Sequence, residues 1–243
     1  MKKLLKIDTI IAIIGLCVSI VGIVGRWDLT IASIVSSSGI IIFVWASINL
    51  SLEFGEPFIH LKYIWTVKIF DALGKKSTAH LSHLLKVRRK RVNDGGLWWS
   101  CYPHNLKVYI AFCNDNPDVL NKIPIQHGEP EKRGGMFFSP IYHNPPLRRG
   151  QKVWIIYEFE IVDEFIENRI SDFFDSNRKI KKFIWKFHLP SDRPAKRWFG
   201  SADFLPNKSD RVILFEDFSE TTDVTWEFMD TKVGAVYYIT IDW

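Results

Sequence analysis

Five cationic side chains crowd into six residues, as Lys86, Arg88, Arg89, Lys90 and Arg91, and two adjacent tryptophans, Trp98 and Trp99, follow shortly after. Guanidinium groups grip phosphate oxygens in a bidentate fork, and indole faces stack on bases. The intervening "NDGG" at 93–96 reads as a turn. A hairpin turning there would bring the arginines and tryptophans together as a nucleotide- or phosphate-binding site. The same residues allow two other readings. One is a charged edge hairpin that resists edge-to-edge aggregation, with its tryptophans in the core. The other is contact with anionic lipid headgroups.

Charge supports a local positive field. Between Gly74 and Val108 the cations Lys75, Lys76, Lys86, Arg88, Arg89, Lys90, Arg91 and Lys107 face only Asp94, whereas the 243-residue chain carries a net charge of just +5. The rest of the chain is therefore slightly acidic. A concentrated field of this kind attracts anionic partners.

Other chemistry is sparse. Glu158 and Glu160 share one strand face and form the only paired carboxylates of interest. A solvated face explains them as well as acid–base catalysis does. His80 and His83 are three apart, which on a strand sends them to opposite faces and prevents joint metal binding. Cys17, Cys101 and Cys113 are too few and too irregular for a disulfide framework or a zinc site. The glycine doublets at 95–96 and 134–135 lack the spacing of phosphate-binding loops, and no hydrolase or metalloprotease motif occurs. The expectation is a protein that is not an enzyme and carries neither metal nor cofactor.

The elements that must position these residues fall into two parts. Residues 9–25 and 29–50 are uncharged and apolar, separated only by Arg26, Trp27 and Asp28. Each run approaches the roughly 20 residues that span a hydrocarbon core. They predict a transmembrane hairpin with helices at about 7–25 and 29–50; a cleaved signal peptide is the alternative. Lys2, Lys3 and Lys6 outnumber Arg26 in the turn, which predicts an inner-membrane protein with both termini cytoplasmic. Ala12, Gly15, Ser19 and Gly22 form a small-residue stripe on the first helix, and Ala32, Ser36 and Gly39 form one on the second. Such stripes let helices approach closely, within the hairpin or between protomers of a homo-oligomer.

From Pro57 the hydrophobic period becomes two. Ile59, Leu61, Tyr63, Trp65, Val67 and Ile69 alternate with His60, Lys62, Thr66 and Lys68. Similar alternation recurs at 106–112, 153–161, 183–189, 224–228 and 233–243. Together with 79–92, 97–101 and 211–217, these predict eight or nine strands in an antiparallel β-sandwich or barrel over 57–243. In 163–176 the apolar residues Phe165, Ile166, Ile170 and Phe173 recur at helical spacing, so a short helix or a long β-connection is expected there. The fold class is thus a membrane-anchored all-β protein.

A short basic tail, a tight two-helix hairpin and one β-rich domain without catalytic motifs resemble the small two-transmembrane effectors of bacterial antiphage defence. Two groups share this layout: the β-strand-rich effectors of cyclic-oligonucleotide signalling and the effectors encoded beside retrons. The resemblance implies helices that oligomerise and disrupt the inner membrane. It further implies a β domain that senses either a cyclic nucleotide or a reverse transcriptase with its RNA–DNA product. A second reading is a non-toxic, membrane-tethered β-sandwich interaction or scaffold module. A peripheral enzyme is a third.

Overall fold

The computed structural model describes residues 20, 37–45, 48, 56–89, 91–112, 121–176, 178–204 and 211–243. The chain divides into two compact units. One comprises Met1–Pro57 with Arg88–Lys90, the other Phe58–Val87 with Arg91–Trp243.

In the first unit residues 37–45 are helical, with Gly39 buried. Among the described residues no helix is long and apolar enough to cross a membrane. This finding corrects the two-helix transmembrane hairpin. The multi-pass inner-membrane placement and the resemblance to two-transmembrane antiphage effectors are corrected with it. Hydropathy reports how apolar a run is, whereas spanning also needs an unbroken helix of sufficient length. Residues 7–19, including Ala12, Gly15 and Ser19, lie outside the described residues, as do Gly22, Ala32 and Ser36.

The second unit is built of fifteen strands among its described residues, more than the eight or nine expected. A seven-stranded sheet runs in the order β14-β11-β1-β2-β9-β4-β5. Its strands are β1 (Phe58–Ile69), β2 (Lys76–Val87), β4 (His104–Phe112), β5 (Ile123–Pro124), β9 (Lys152–Val162), β11 (Ile180–His188) and β14 (Asp223–Met229). A second sheet orders β10 (Arg169–Ser176), β15 (Ala235–Asp242), β12 (Arg197–Asp203) and β13 (Val212–Asp217) as β10-β15-β12-β13. A third joins β3 (Arg91–Trp99), β8 (Met136–Arg148) and β6 (Gln126–His127), with β7 (Glu131–Arg133) also paired to β8. The described residues are mostly strand, arranged in three sheets. One pair, β1 with β11, is parallel, unlike the all-antiparallel arrangement expected.

Two cores follow from this layering. Val67 and Ile69 of β1, Phe183, Trp185 and Phe187 of β11, and Val224 and Trp226 of β14 pack with Ile170, Tyr237, Ile239 and Ile241 of the β10–β15 sheet. Leu81 and Leu85 of β2 and Val153, Ile155, Tyr157 and Phe159 of β9 pack with Val92 and Trp99 of β3 and Ile141 and Leu147 of β8. Tyr63 and Trp65 of β1 and Phe165 touch both cores, so the seven-stranded sheet is shared by two sandwiches. Trp154 and Ile156 are also fully buried, on the other face of that sheet with Ile64, Ala111 and Ile184. The centre of β9 is therefore apolar on both faces and reads as a continuous run, Val153 to Tyr157.

Three local departures from period two explain what alternation alone misassigns. The β1–β2 register shifts between His60 and Lys62. The extra residue flips the facing of everything before it. His60, expected on the polar face, is therefore 7% exposed. Residues 163–168 are irregular and β10 follows, with no helix in this stretch. Its more buried positions are Ile170, Asp172, Phe174 and Ser176, and the polar Asp172 and Ser176 conceal the alternation. The "NDGG" at 93–96 lies inside β3 and not at a hairpin tip. It pairs with β8 across a register shift between Val92 and Asp94, opposite the prolines of Asn144-Pro145-Pro146, where the ladder is already interrupted.

Candidate functional site

Within the second unit the structure separates Arg91 from the two tryptophans. Trp99 is 4% exposed, donates its indole N–H to Ser139 Oγ at 3.0 Å, and meets Phe159 edge-on at 4.6 Å between ring centroids. It is a core residue; removing such a ring costs about 3–5 kcal/mol. Trp98 is exposed and leans on Phe138 at 4.9 Å. It stands seven residues from Arg91 on the same strand, roughly 20 Å at the usual strand rise. Arg88 and Arg89 belong to the first unit, where the Arg88 N–H donates to the Pro57 carbonyl. Lys90 lies outside the described residues.

The fold instead assembles cations that are distant in sequence. Lys86 on β2 stands opposite Lys152 on β9. Arg91 on β3 stands opposite Arg148 on β8. The tight turn from Arg148 to Gln151 joins β8 to β9, closed by the Gln151 N–H on the Arg148 carbonyl, with Gly150 at φ 87°. That positive φ at the third turn position is a glycine conformation. The turn is anchored to the end of β2: Gly150 N–H donates to the Val87 carbonyl, and Val87 N–H donates to the Gln151 carbonyl, both at 2.9 Å. Val87 is buried in the core; Lys86 and Lys152 point to the outer face of their sheet, Arg91 and Arg148 to the outer face of theirs, and Arg149 lies in the turn, all five exposed at this end of the unit. None of the five forms an ion pair with another described residue. Like charges directly opposite on neighbouring strands destabilise a sheet, so this end of the unit carries concentrated positive charge. Arg148, Arg149 and Lys152 were missed in sequence because only the β3–β8 and β2–β9 registers bring them to the segment at 86–91.

A second candidate lies on the outer face of β2, β9 and β4, an open groove of about 310 Å³ lined by Thr78, His80, Asn105, Lys107, Glu158 and Glu160 among others. The carboxylate pair expected from sequence does share this face. Each is already engaged: Lys122 Nζ sits 2.8 Å from Glu158 Oε1, and Asn105 Nδ2 donates to Glu160 Oε2 at 2.9 Å. His80 Nδ1 lies 3.8 Å from Glu158 Oε1, and its Nε2 is 2.8 Å from Ser82 Oγ. The carboxylates serve as counter-ions and acceptors here, so neither is presented as a base.

His83 lies on the face opposite His80, as their spacing predicts, and faces inward, where its Nε2 is 2.8 Å from His60 Nδ1. Burial holds both imidazoles below their ordinary value, His60 at about 4. Asp172, inward-facing on β10, accepts from Trp185 Nε1 at 3.2 Å; burial pushes its carboxyl up to about 6, against the lowering effect of the Phe173 N–H. Cys101 is a free thiol, raised to about 11 chiefly by burial and then by Glu164. Among the described residues no three His, Cys, Asp or Glu side chains are grouped to hold a metal ion.

No protein-family model matches the chain, and no curated protein matches it. Nothing in these comparisons supports the antiphage-effector resemblance. Among solved structures, a Parabacteroides distasonis protein described as a "putative protease" aligns at 11% identity with a TM-score of 0.46. The alignment covers 77% of this chain and 40% of that one, so the chain spans two fifths of that structure's length. At this level of likeness neither family nor activity transfers, and no family is assigned.

Proposed function

We propose that the β unit is a non-catalytic interaction module that binds the phosphate backbone of a nucleic acid through Lys86, Arg91, Arg148, Arg149 and Lys152. The carrying observation is that the β2–β9 and β3–β8 registers and the Arg148–Gln151 turn gather these five exposed cations at one end of the unit, with like charges set directly opposite each other. The nearest exposed indole on β3, Trp98, lies too far along the strand to stack a base held at Arg91. The cluster is therefore suited to a run of phosphates and not to a single nucleotide.

The test is fluorescence anisotropy with labelled single-stranded and duplex oligonucleotides across a salt series. Log affinity should fall linearly with log salt. Changing Arg148 and Arg149 together to Ala should reduce the slope by about one for each phosphate contact removed. Absence of binding, or binding unchanged in the double variant, overturns the proposal. Binding to anionic vesicles without binding to either oligonucleotide does so as well.

A further inference from the structure

β13 closes one side of its sheet and, among the described residues, pairs only with β12. An edge strand exposes unpaired N–H and C=O groups, which proteins usually guard with charge, proline or a bulge. The guard here is incomplete. The register passes from Phe215 opposite Gly200 to Ile213 opposite Ser201, so Leu214 is an extra, bulged residue. Yet Val212, Ile213 and Leu214 are three consecutive exposed apolar side chains, and Phe218 just beyond the strand is 69% exposed. Charges stand only at the ends: Arg211 before the strand, Glu216 and Asp217 at its close.

This order is complementary to itself. When "RVILFED" is laid antiparallel on a second copy about a two-fold axis at Leu214, Arg211 of each chain falls opposite Asp217 of the other. Ile213 then falls opposite Phe215. A parallel alignment would instead oppose Arg211 to Arg211. Glu216 is already held by Arg197, whose Nε donates to Oε1 at 2.6 Å, so Asp217 is the acid this symmetry selects. Arg211 is held at the strand's start, its guanidinium 3.6 Å over the Tyr238 ring and its Nε 3.8 Å from Asp203 Oδ1, and Asp217 Oδ1 accepts the Ser219 N–H at 2.7 Å, so in the dimer each would share its charge between an existing partner and the new one. The bulge disrupts the backbone ladder at its centre, leaving the apolar side chains to fill the middle of the contact.

We infer that β13 is a homodimer interface, in which two copies pair edge to edge and antiparallel, with Leu214 on the axis and Arg211–Asp217 ion pairs at both ends. Such a contact is isologous and closes on itself.

Sedimentation equilibrium of the full chain tests this. The wild type should pass from monomer to dimer with rising concentration. Leu214→Lys places two like charges on the axis and should leave only monomer; Leu214 is exposed, so near-ultraviolet circular dichroism should be unchanged. Asp217→Arg alone should weaken the dimer roughly tenfold, and adding Arg211→Asp should restore it. A wild type that stays monomeric overturns the inference. So does a dimer indifferent to Leu214→Lys, or a charge swap that fails to rescue the single change.

Discussion

His60 and His83 face each other across β1 and β2 with Nδ1 and Nε2 2.8 Å apart, both rings buried. Two protonated imidazoles cannot share this contact, and burial, the dominant cause, holds both neutral. The unfolded chain binds protons at its ordinary 6.5, whereas folded His60 does so only near 4. Stability is therefore complete above pH 6.5 and is lost as pH falls toward 4. The slope should be about 1.4 kcal/mol per pH unit for each histidine kept neutral. Urea titrations between pH 7 and pH 4 should show this slope, and changing both histidines to Gln should flatten it. An unchanged midpoint across this window would refute the account.

Asp172 carries the opposite sign. Its carboxyl is raised to about 6 in the folded state from an ordinary 3.8, so its protonated form favours folding below 3.8 and that advantage disappears as pH rises through 6. Asp172→Asn keeps an acceptor for the Trp185 N–H and removes the buried charge. At pH 7.5 the variant should be more stable by about 2 kcal/mol, and near pH 4 it should match wild type. Thermal melts at the two pH values measure the difference. Equal destabilisation at both would show that the hydrogen bond outweighs the charge.

Arg193 ties three distant segments. Nη1 donates to the Ala72 carbonyl at 2.7 Å, Nη2 donates to the Glu167 carbonyl and to Asn168 Oδ1, and the guanidinium lies 3.8 Å over the Trp243 ring. A planar fork makes all of these contacts together, and an ammonium cannot. Arg193→Lys should cost about 2 kcal/mol. The loss should appear as faster amide exchange at 167–168 and 241–243. Protection equal to wild type there would exclude the clamp.

Gly96 sits under the Phe138 ring. A Cβ at this position would lie 2.4 Å from two ring carbons and 2.9 Å from the Ser139 carbonyl oxygen. The Phe138 ring would have to swing aside, and the Ser139 carbonyl cannot yield without moving β8. Gly96→Ala should destabilise by about 1–3 kcal/mol, as overpacking does. A melting temperature within error of wild type would show that the ring relocates freely.

The β-rich character of residues 58–243 was legible because strands buried on one face must alternate. Phe183, Trp185 and Phe187 against Lys182, Lys186 and His188 record that burial directly. The position of His60 was not legible, since a one-residue bulge flips facing without altering composition. β8 was hidden by Pro140, Pro145 and Pro146, residues that usually mark a break and here occupy a strand whose ladder is interrupted opposite Val92–Asp94. The apolar runs before residue 51 predicted spanning helices on hydropathy alone, and among the described residues no helix is long and apolar enough for that role.

The charged segment at 86–91 shows where local information ends. Sequence alone determined that this stretch is cationic and that Trp98 and Trp99 follow it, because charge and residue type belong to the chain itself. Only the tertiary structure decided that Trp99 is core, that Trp98 is distant from Arg91, and that Arg148, Arg149 and Lys152 complete the cluster. The physical reason is register. Two sheets bring residues some sixty positions apart into opposition, as Arg91 with Arg148 and Lys86 with Lys152, and no local pattern encodes which partner a strand will meet.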